Sequence, residues 1–393
     1  PGLDAFFGWL KFMLLRTATT DLHRKIVRNS TGNLLAYGTG KALNWVLARR
    51  AVVRLARALD YRFVKNASYR SAFDRYTPDL VVLAHLFEEP EIHILREAKR
   101  RGVRTVGIVN SWDKVTTRCV MRLLPDKLIV FNDIVKREVV AHDLVPGDNV
   151  YVAGIPNYDA YFTERPSPRE TFFRRIGFDP KKKLLVYAPM GRMFSDSDGK
   201  IIERLHELNG EGKFGEQVQI LVRFQPNDPL DLGELKELSG VRYESPGIRL
   251  DANAAQFSTR GIDWDMSPAD LLHLRDTLSH MSLLVSYASS IVVDAAIFGK
   301  PIININFEVA AAPDTVKSPT IYYRKTHYRR AVETGAIRLV ENEGELVRWV
   351  RRYLGDPSVD AEARQRLVRE QCGATDGKAG ERMGMYLLEQ LAR

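Results

Sequence analysis

The sequence predicts an α/β protein in which two consecutive domains face a cleft, preceded by a helical extension. Three observations predict this fold class. The chain has 393 residues, which is too long for one ordinary core and suits two domains of roughly 150–200 residues each. From Asp79 onward, short apolar runs alternate with helical stretches, as in parallel sheets covered on both faces. The proline-containing stretch Thr163–Arg169 interrupts this series and is the predicted linker.

The predicted boundaries divide the chain into four parts. A basic and aromatic helical extension covers 1–75, and the first Rossmann-like domain covers 76–165. The second Rossmann-like domain covers 166–378, and a C-terminal helix over 379–393 is expected to pack back on the first domain.

Composition indicates a globular protein, with 45% hydrophobic and 27% charged residues. The two cysteines, Cys119 and Cys372, are far apart in sequence, which excludes a disulfide framework and any zinc-ligand spacing. A reducing, cytoplasmic location is therefore expected.

The helical extension carries much of the formal net charge of +9. Arg50, Arg54 and Arg57 follow helical spacing and are expected on one face of a helix. The aromatic-rich stretch from Phe6 to Leu15 is shorter than the roughly 20 apolar residues that cross a bilayer. Together they favour contact with the inner face of the cytoplasmic membrane. The alternative is that the basic face is solvated and the aromatic stretch is a packed core helix. No nucleic-acid motif is present, so nucleic acid is not an expected partner.

The elements of the first domain follow in order. Helices are predicted over Glu91–Arg101, which ends at Gly102 as a C-cap, and over Ile134–His142. The predicted strands are Leu80–Ala84, Thr105–Val109, Lys127–Phe131 and Val150–Ala153.

The second domain repeats the pattern. Ser267-Pro268-Ala269-Asp270 predicts a helix start, with Ser at the N-cap and Pro at the first helical position. A last helix is predicted over Glu381–Leu391. The predicted strands are Lys183–Tyr187, Gln219–Phe224, Leu283–Tyr287 and Ile302–Ile305.

A phosphate site is predicted where a helix begins after the strand Leu283–Tyr287. Ser289 and Ser290 stand at the helix start, where free N–H groups and a partial positive charge suit an anion. Asp294 lies one turn further in and is expected to accept hydrogen bonds from ribose hydroxyls. The alternative is that the two serines only cap the helix.

Two arginines at neighbouring strand ends extend this prediction. Gly191 lets backbone approach a ligand, and Arg192 is expected to pair with phosphate oxygens. Arg223 ends the following strand. Together they would neutralise a diphosphate without a metal, so neither a metal nor a cofactor is expected. For Arg192 the alternative is an ordinary turn with a surface arginine.

The segment Ala288–Ile303, A-S-S-I-V-V-D-A-A-I-F-G-K-P-I-I, resembles the nucleotide-binding helix of bacterial surface-polysaccharide glycosyltransferases of the GT-B type. It is also similar to CDP-glycerol glycerophosphotransferases and, more distantly, to UDP-sugar 2-epimerases. Val222–Pro226 resembles the Arg-x-His-Pro element of that group, with Gln225 in the place of the histidine. Asn110–Thr117 resembles a "SWDNLTTK" loop, and Val152–Asp159 a "V-x-G-x-P-x-x-D" segment. The resemblance implies that the second domain binds a nucleotide-activated sugar and the first domain the acceptor.

Transfer with inversion needs a base on the acceptor side. Asp113, on the loop after the strand Thr105–Val109, is the leading candidate, and Trp112 and Asn157 are the expected acceptor-binding residues. The alternative bases are His85, Glu88 and Glu89; transfer with retention would need none. A cationic run follows the strand Ile302–Ile305 and is expected to bind phosphate of the donor or of a lipid-linked acceptor, or else to be a solvated loop: Lys317, Arg324, Lys325, His327, Arg329 and Arg330.

Four functions remain open at this stage. The first is sugar transfer to a surface glycan or polyprenyl-linked acceptor, and the second is transfer of a polyol phosphate from a CDP-activated donor. The third is epimerisation of a UDP-sugar, which would have no use for a basic and aromatic extension. The fourth is a non-catalytic nucleotide-binding adaptor. The glycines of a dinucleotide fingerprint do not follow any predicted strand, which argues against an NAD enzyme.

Overall fold

The computed structural model describes residues 2–192, 194–226, 236–249, 264–309 and 317–392. The chain forms two compact units. The first comprises Pro1–Thr163, Lys325–His327 and Arg369–Arg393, and the second comprises Glu164–Arg324 and Tyr328–Val368.

The first unit begins with a series of helices. Thr17 and Thr20 form a reciprocal capping box at the start of the second helix, and Gly32, with a φ of +66°, ends it. The helices are α1 (Gly2–Met13), α2 (Ala18–Thr31), α3 (Leu34–Leu47), α4 (Arg50–Phe63) and α5 (Arg70–Tyr76).

One face of these helices is buried and the other is not. Phe7, Leu10 and Leu14 of α1 pack with Val53 and Ala56 of α4 in an apolar cluster. Arg57 belongs to the buried side. Its guanidinium donates to the carbonyls of Met121 (2.9 Å) and Asp143 (2.5 Å). The expectation that Arg57 shares an outward basic face with Arg50 and Arg54 is therefore wrong, because these buried carbonyls draw its side chain inward, whereas Arg50 and Arg54 are exposed.

The sheet of the first unit has four parallel strands in the order β1-β2-β3-β4. Leu128 and Val130 pack on the helices of one face, and Ile129 packs with the C-terminal helix on the other, as alternation along a strand requires. The strands are β1 (Leu80–Leu83), β2 (Arg104–Ile108), β3 (Lys127–Val130) and β4 (Val150–Val152). The helices are α6 (Glu89–Arg101), α7 (Lys114–Thr117), α8 (Asp133–His142), α9 (Asp159–Thr163) and, on the opposite face, α17 (Ala379–Ala392).

The second unit contains a parallel sheet of six strands in the order β12-β11-β10-β5-β6-β7. Its strands are β5 (Lys183–Ala188), β6 (Val218–Arg223), β7 (Val241–Glu244), β10 (Leu283–Ser286), β11 (Ile302–Ile305) and β12 (Ile337–Val340), and a separate antiparallel pair is formed by β8 (Ile248–Arg249) and β9 (Trp264–Asp265). The helices are α10 (Arg169–Arg175), α11 (Asp198–Gly210), α12 (Pro268–His280), α13 (Ile291–Ile297), α14 (Thr326–Glu333), α15 (Glu343–Gly355) and α16 (Ala361–Cys372).

All eight predicted strands are present, as are the predicted helices. Ser267 caps α12 as predicted, with a capping box to Asp270. The sequence did not predict β7 and β12, which form the two edges of the six-stranded sheet. Both are only four residues long and contain arginine, so neither shows the continuous apolar run that marks the inner strands.

Candidate donor and acceptor sites

The order in which the chain adds strands to the six-stranded sheet reverses once. From β5 the chain proceeds through β6 to β7 and then returns to β10 on the other side of β5 before reaching β11 and β12. In open α/β sheets, ligands bind at the carboxyl ends of the strands where the order reverses. The segments that follow β5 and β10 carry Gly191, Ser289 and Ser290, so three of the predicted donor residues lie at this reversal.

The loop after β5 is held by an aspartate that the sequence analysis missed. Asp198, at the start of α11, accepts the backbone N–H groups of Gly191 (3.0 Å) and Met190 (3.2 Å). It also accepts the hydroxyl of Tyr187 at 2.6 Å. Burial, together with the charge of Asp198, raises the pKa of Tyr187 well above its ordinary value, so this phenol stays a donor.

Gly191 therefore has a different role from the predicted one. Its φ of +91° suits glycine, but its N–H donates to Asp198 and its carbonyl accepts from the N–H groups of Phe194 and Ser195. The glycine shapes the loop that carries Arg192. Arg192 is exposed, and its carbonyl accepts the ammonium of Lys317, which also pairs with Asp196 at 2.9 Å.

The start of α13 is anchored through its backbone. The Ser289 N–H donates to the Tyr328 hydroxyl at 3.2 Å, and the amide of Asn304 donates to the same hydroxyl and to the carbonyl of Tyr287. Ser290 occupies the N-cap position with φ −66° and ψ −20°, and it makes no side-chain capping bond. The alternative, that Ser290 only caps the helix, is wrong because capping needs an extended N-cap backbone. The exposed Ser290 hydroxyl is thus not used by its own helix, and Asp294 is buried.

Arg223 ends β6, beside β5, and is buried. Its Nη1 donates to Glu244 Oε2 at 3.0 Å, while Glu244 Oε1 lies 2.8 Å from His273 Nε2. Burial alone would raise the pKa of Glu244, but hydrogen bonds and charges from His273 and Arg223 hold it below its ordinary value. Arg223 thus has a structural partner, Glu244, and its role at a donor phosphate stays a prediction.

Asp113 lies at the start of α7 and is half-buried. The Ser111 hydroxyl donates to its Oδ1, and the Thr117 hydroxyl lies 3.3 Å from its Oδ2. Trp112 packs edge-on against His327, with ring centroids 5.0 Å apart. The structure thus brings the predicted base and the predicted stacking residue onto one loop of the first unit.

The other predicted acceptor residue, Asn157, is exposed in the short turn Pro156–Tyr158. The residues around it hold the C-terminal helix. The carboxylate of Asp159 accepts the N–H groups of Ala379 and Gly380 at 2.9 and 2.8 Å. Gly154 has a φ of +94°, and a Cβ there would come within 3.0 Å of the Ala379 Cβ. This segment therefore docks α17 on the first sheet.

The alternative bases have other partners. Glu89 pairs with the ammonium of Lys11 at 2.9 Å and with Arg122 at 2.5 Å. The His85 N–H donates to Glu91 at 2.6 Å, and Glu88 is exposed at the N-cap of α6. Of the three, Glu89 is thereby held in a structural ion pair.

Among the described residues, one group has the spacing of metal ligands: Asp4, Glu89 and His93. Arg122 pairs with Asp4 at 2.7 Å and with Glu89, so the two carboxylates already have a cationic partner. The described helices include none that is both long and apolar enough to cross a membrane.

The segment from 122 to 389, more than half of the chain, matches the model of one protein family, CDP-Glycerol:Poly(glycerophosphate) glycerophosphotransferase. The chain belongs to this family. It is therefore a transferase, and the predicted relation to surface-polysaccharide transferases of the CDP-glycerol group is confirmed. The sequence matches no curated protein at a significant level.

Solved structures show the fold that this family member adopts. MnaA from S. aureus, solved with UDP, superposes with a TM-score of 0.52 at 13% identity, covering 87% of this chain and 83% of that one. A putative UDP-N-acetylglucosamine 2-epimerase from Listeria monocytogenes gives 0.51 at 12% identity, covering 86% and 79%. The wall teichoic acid polymerase TagF gives 0.46 at 13% identity, covering 86% and 97%. The predicted α/β class, with two Rossmann-like sheets of the GT-B type and a helical N-terminal region, is confirmed.

Proposed function

We propose that this transferase moves a sugar from a nucleotide-activated donor to a glycan or polyprenyl-linked acceptor, without a metal ion. We infer the donor site from one observation, the reversal of strand order beside β5, where Gly191, Ser289 and Ser290 lie. The exposed Ser290 hydroxyl is available to the donor phosphates, and the buried Asp294 suits ribose hydroxyls.

The arginines make a metal unnecessary in this proposal. Arg223 ends the strand next to β5, and Arg192 follows β5 itself. A guanidinium offers five donors, so the bond from Arg223 Nη1 to Glu244 leaves others for phosphate oxygens. Two such cations stabilise the negative charge that develops on the leaving nucleotide.

Asp113 is the proposed base of the transfer. It takes the proton of the acceptor hydroxyl as this oxygen attacks the anomeric carbon, and the bond to the nucleoside diphosphate breaks. The Ser111 hydroxyl orients the carboxylate, since it donates to Oδ1, and the Thr117 hydroxyl donates to the backbone carbonyl of Asp113 at 2.9 Å. Trp112 offers a ring face for stacking on a sugar, and Asn157 offers an exposed amide to acceptor hydroxyls.

A second candidate is transfer of a polyol phosphate from a CDP-activated donor. The family match from 122 to 389 favours it. Gln225, which stands where the resembling group has a histidine, favours sugar transfer instead, because an amide cannot act as a general acid or base. The two candidates differ in the donor nucleotide.

A thermal-shift screen of the full chain against UDP, GDP, CMP and CDP nucleotides tests the proposal. A ligand that binds only the folded state raises its melting temperature, and a tighter ligand raises it more. Sugar transfer predicts a shift with a nucleoside diphosphate and its sugar conjugate, and polyol-phosphate transfer predicts a selective shift with CDP-glycerol and CMP. Absence of any shift would contradict both.

The proposal also places the first unit on the membrane surface, where a polyprenyl-linked acceptor is found. The outer side of α1 exposes Leu3, Phe6, Trp9 and Phe12, spaced by three residues. On α3, Leu34 and Leu35 are 70% and 78% exposed. Cations lie beside exposed rings, as in the pair Arg49 and Trp45 at 4.7 Å. Amphipathic helices with these residues bind at the boundary between headgroups and acyl chains.

Co-sedimentation with vesicles that contain one quarter phosphatidylglycerol tests this surface. Replacement of Leu34 and Leu35 by Ser, together with Trp9→Ser, is expected to release at least half of the bound protein. A matched control replaces the exposed apolar residues of α17 instead: Met385, Leu388 and Leu391. If the vesicles bind both variants equally, the N-terminal helices are not the membrane-binding surface.

A further inference from the structure

A glutamate that the sequence analysis missed lies at the carboxyl edge of the six-stranded sheet. Glu308 follows the last residue of β11 by three positions. β11 pairs with β10, and the chain after β10 carries Tyr287 and the start of α13. The Tyr287 hydroxyl donates to the carbonyl of Phe307 at 3.4 Å. Glu308 therefore stands at the same edge of the sheet as the predicted donor residues.

The two carboxylate oxygens of Glu308 differ in their partners. Oε1 accepts the hydroxyls of Ser318 and Thr320, the latter at 2.7 Å. Oε2 is buried, and in the described part of the chain no donor lies within hydrogen-bond distance of it. A buried acceptor without a donor costs free energy, so such groups point to a partner outside the chain. The two hydroxyls thus orient the carboxylate and leave Oε2 unused.

The segment that holds Glu308 also holds the loop after β5. Lys317, which precedes Ser318, donates to the carbonyl of Arg192 and pairs with Asp196 at 2.9 Å. Consecutive residues therefore join Glu308 to the loop of Arg192, the arginine proposed for the donor phosphates.

The charges near Glu308 indicate which kind of group Oε2 can bind. Burial raises the pKa of Tyr287, and the charges of Asp198 and Glu308 raise it further while a hydrogen bond with Ser197 opposes. Two carboxylates therefore act on the same phenol. A phosphate oxygen would be repelled here, whereas a hydroxyl group, which donates a hydrogen bond, suits the unused acceptor.

We propose that Glu308 binds a hydroxyl of the transferred group of the donor, beyond its phosphates. This inference rests on the proposed function and deepens it, because it requires a free hydroxyl on the group that is transferred. Asp294, within α13, is the residue proposed for the ribose, whereas Glu308 is joined to the loop of Arg192. A hydroxyl that donates to a carboxylate makes a charge-assisted bond, and a site built for it discriminates against ligands that lack the hydroxyl.

Calorimetric titration of the full chain tests this role by comparing each free nucleoside diphosphate with its conjugate. The pairs are UDP with UDP-glucose, GDP with GDP-mannose, and CDP with CDP-glycerol. Glu308→Gln keeps an acceptor for the hydroxyls of Ser318 and Thr320 but replaces Oε2 by an NH₂ group, which cannot accept. The variant is expected to bind the conjugate about 10-fold more weakly or worse, and the free diphosphate within about 2-fold of the unaltered protein. Its melting temperature is expected not to fall, because Oε2 has no donor to lose in the described part of the chain.

The matched control is Glu341→Gln, which alters an exposed glutamate at the end of the neighbouring strand β12. Glu341 accepts the Asn306 amide at 2.8 Å, and its variant is expected to bind both ligands as the unaltered protein does.

Two results for Glu308→Gln would overturn the assignment. Equal weakening of conjugate and free diphosphate would show that the carboxylate serves the fold or the nucleotide. Unchanged affinity for both would assign Oε2 to water. If nucleotides bind the unaltered protein and only the loss of conjugate affinity fails to appear, the role of Glu308 alone is wrong. If no nucleotide binds, the proposed donor site is wrong as well.

Discussion

Two groups of charged residues in the first unit differ in what surrounds them. In the buried ion network, Asp60 pairs with Arg96 at 2.6 Å and with Arg122 at 2.8 Å. Burial alone would lower the pKa of Arg122, but Asp60, Asp4 and Glu89 raise it. In the second group, beside Asp113, the charges that act on Lys114 and Lys325 include another cation, Arg118, together with the carboxylate of Asp113. The comparison separates cations that are held by buried carboxylates from cations that lie partly beside one another.

The largest effect that sharpens this comparison is on turnover. Asp113→Asn removes the proposed base of the transfer, so kcat is expected to fall by about 10²–10⁴-fold. Affinity for the donor nucleotide is expected to stay within about 2-fold, because Asp113 belongs to the first unit. Steady-state kinetics and a nucleotide titration measure the two quantities. Unchanged turnover would show that Asp113 is not the base.

The next effect is on stability, and it tests the buried ion network. Arg122→Gln leaves Asp60 buried without one of its cations, which is expected to lower the free energy of unfolding by about 3–5 kcal/mol. Urea unfolding measures this change. Arg348→Gln, which breaks an exposed pair with Glu345, is the control and should cost below about 1 kcal/mol. Equal effects of the two variants would contradict the contrast between buried and exposed charges.

The smallest expected effect concerns Asp143, another buried carboxylate of the first unit. Burial raises the pKa of Asp143 to about 6, although Arg57 and the Met121 N–H oppose the shift. The folded state therefore binds this proton more tightly than the unfolded chain does. Its contribution to stability is present at low pH and is lost as the pH rises through 6.

The test is the pH dependence of urea unfolding between pH 5 and pH 7. The unaltered protein is expected to gain stability towards pH 5 relative to Asp143→Asn, since Asn does not titrate. Parallel pH profiles for the two proteins would show that Asp143 stays ionised in the folded state.

The sequence predicted the inner strands well because they are continuous apolar runs, as in Leu283–Ser286. It missed β7 and β12, whose edge positions allow arginine. Capping by Ser290 was the alternative to its phosphate role, but its helical backbone angles keep the hydroxyl from the N–H groups that it would cap. The proximity of Arg118 to Lys325 was beyond sequence reasoning, because the two residues are far apart in the chain. The docking of α2 on both of their segments and the contact of Trp112 with His327 bring them together.

The roles of Asp198 and Tyr328 were also missed, for a related reason. Each acts through backbone N–H groups of another segment, so neither carries a motif of its own. An aspartate at the start of a helix that follows a glycine loop was the available signal for Asp198. No comparable signal marked Tyr328.

The central claim is that the reversal of strand order beside β5 binds the nucleotide donor. Calorimetric titration of the nucleotide selected by the thermal-shift screen, on Ser290→Ala combined with Arg223→Ala, tests it most directly. Two lost phosphate contacts of about 1.5 kcal/mol each predict an affinity at least ~100-fold weaker. Glu244→Gln is the control for the ion pair of Arg223, and it should keep most of the affinity. Unchanged nucleotide affinity in the folded double variant would contradict the donor site.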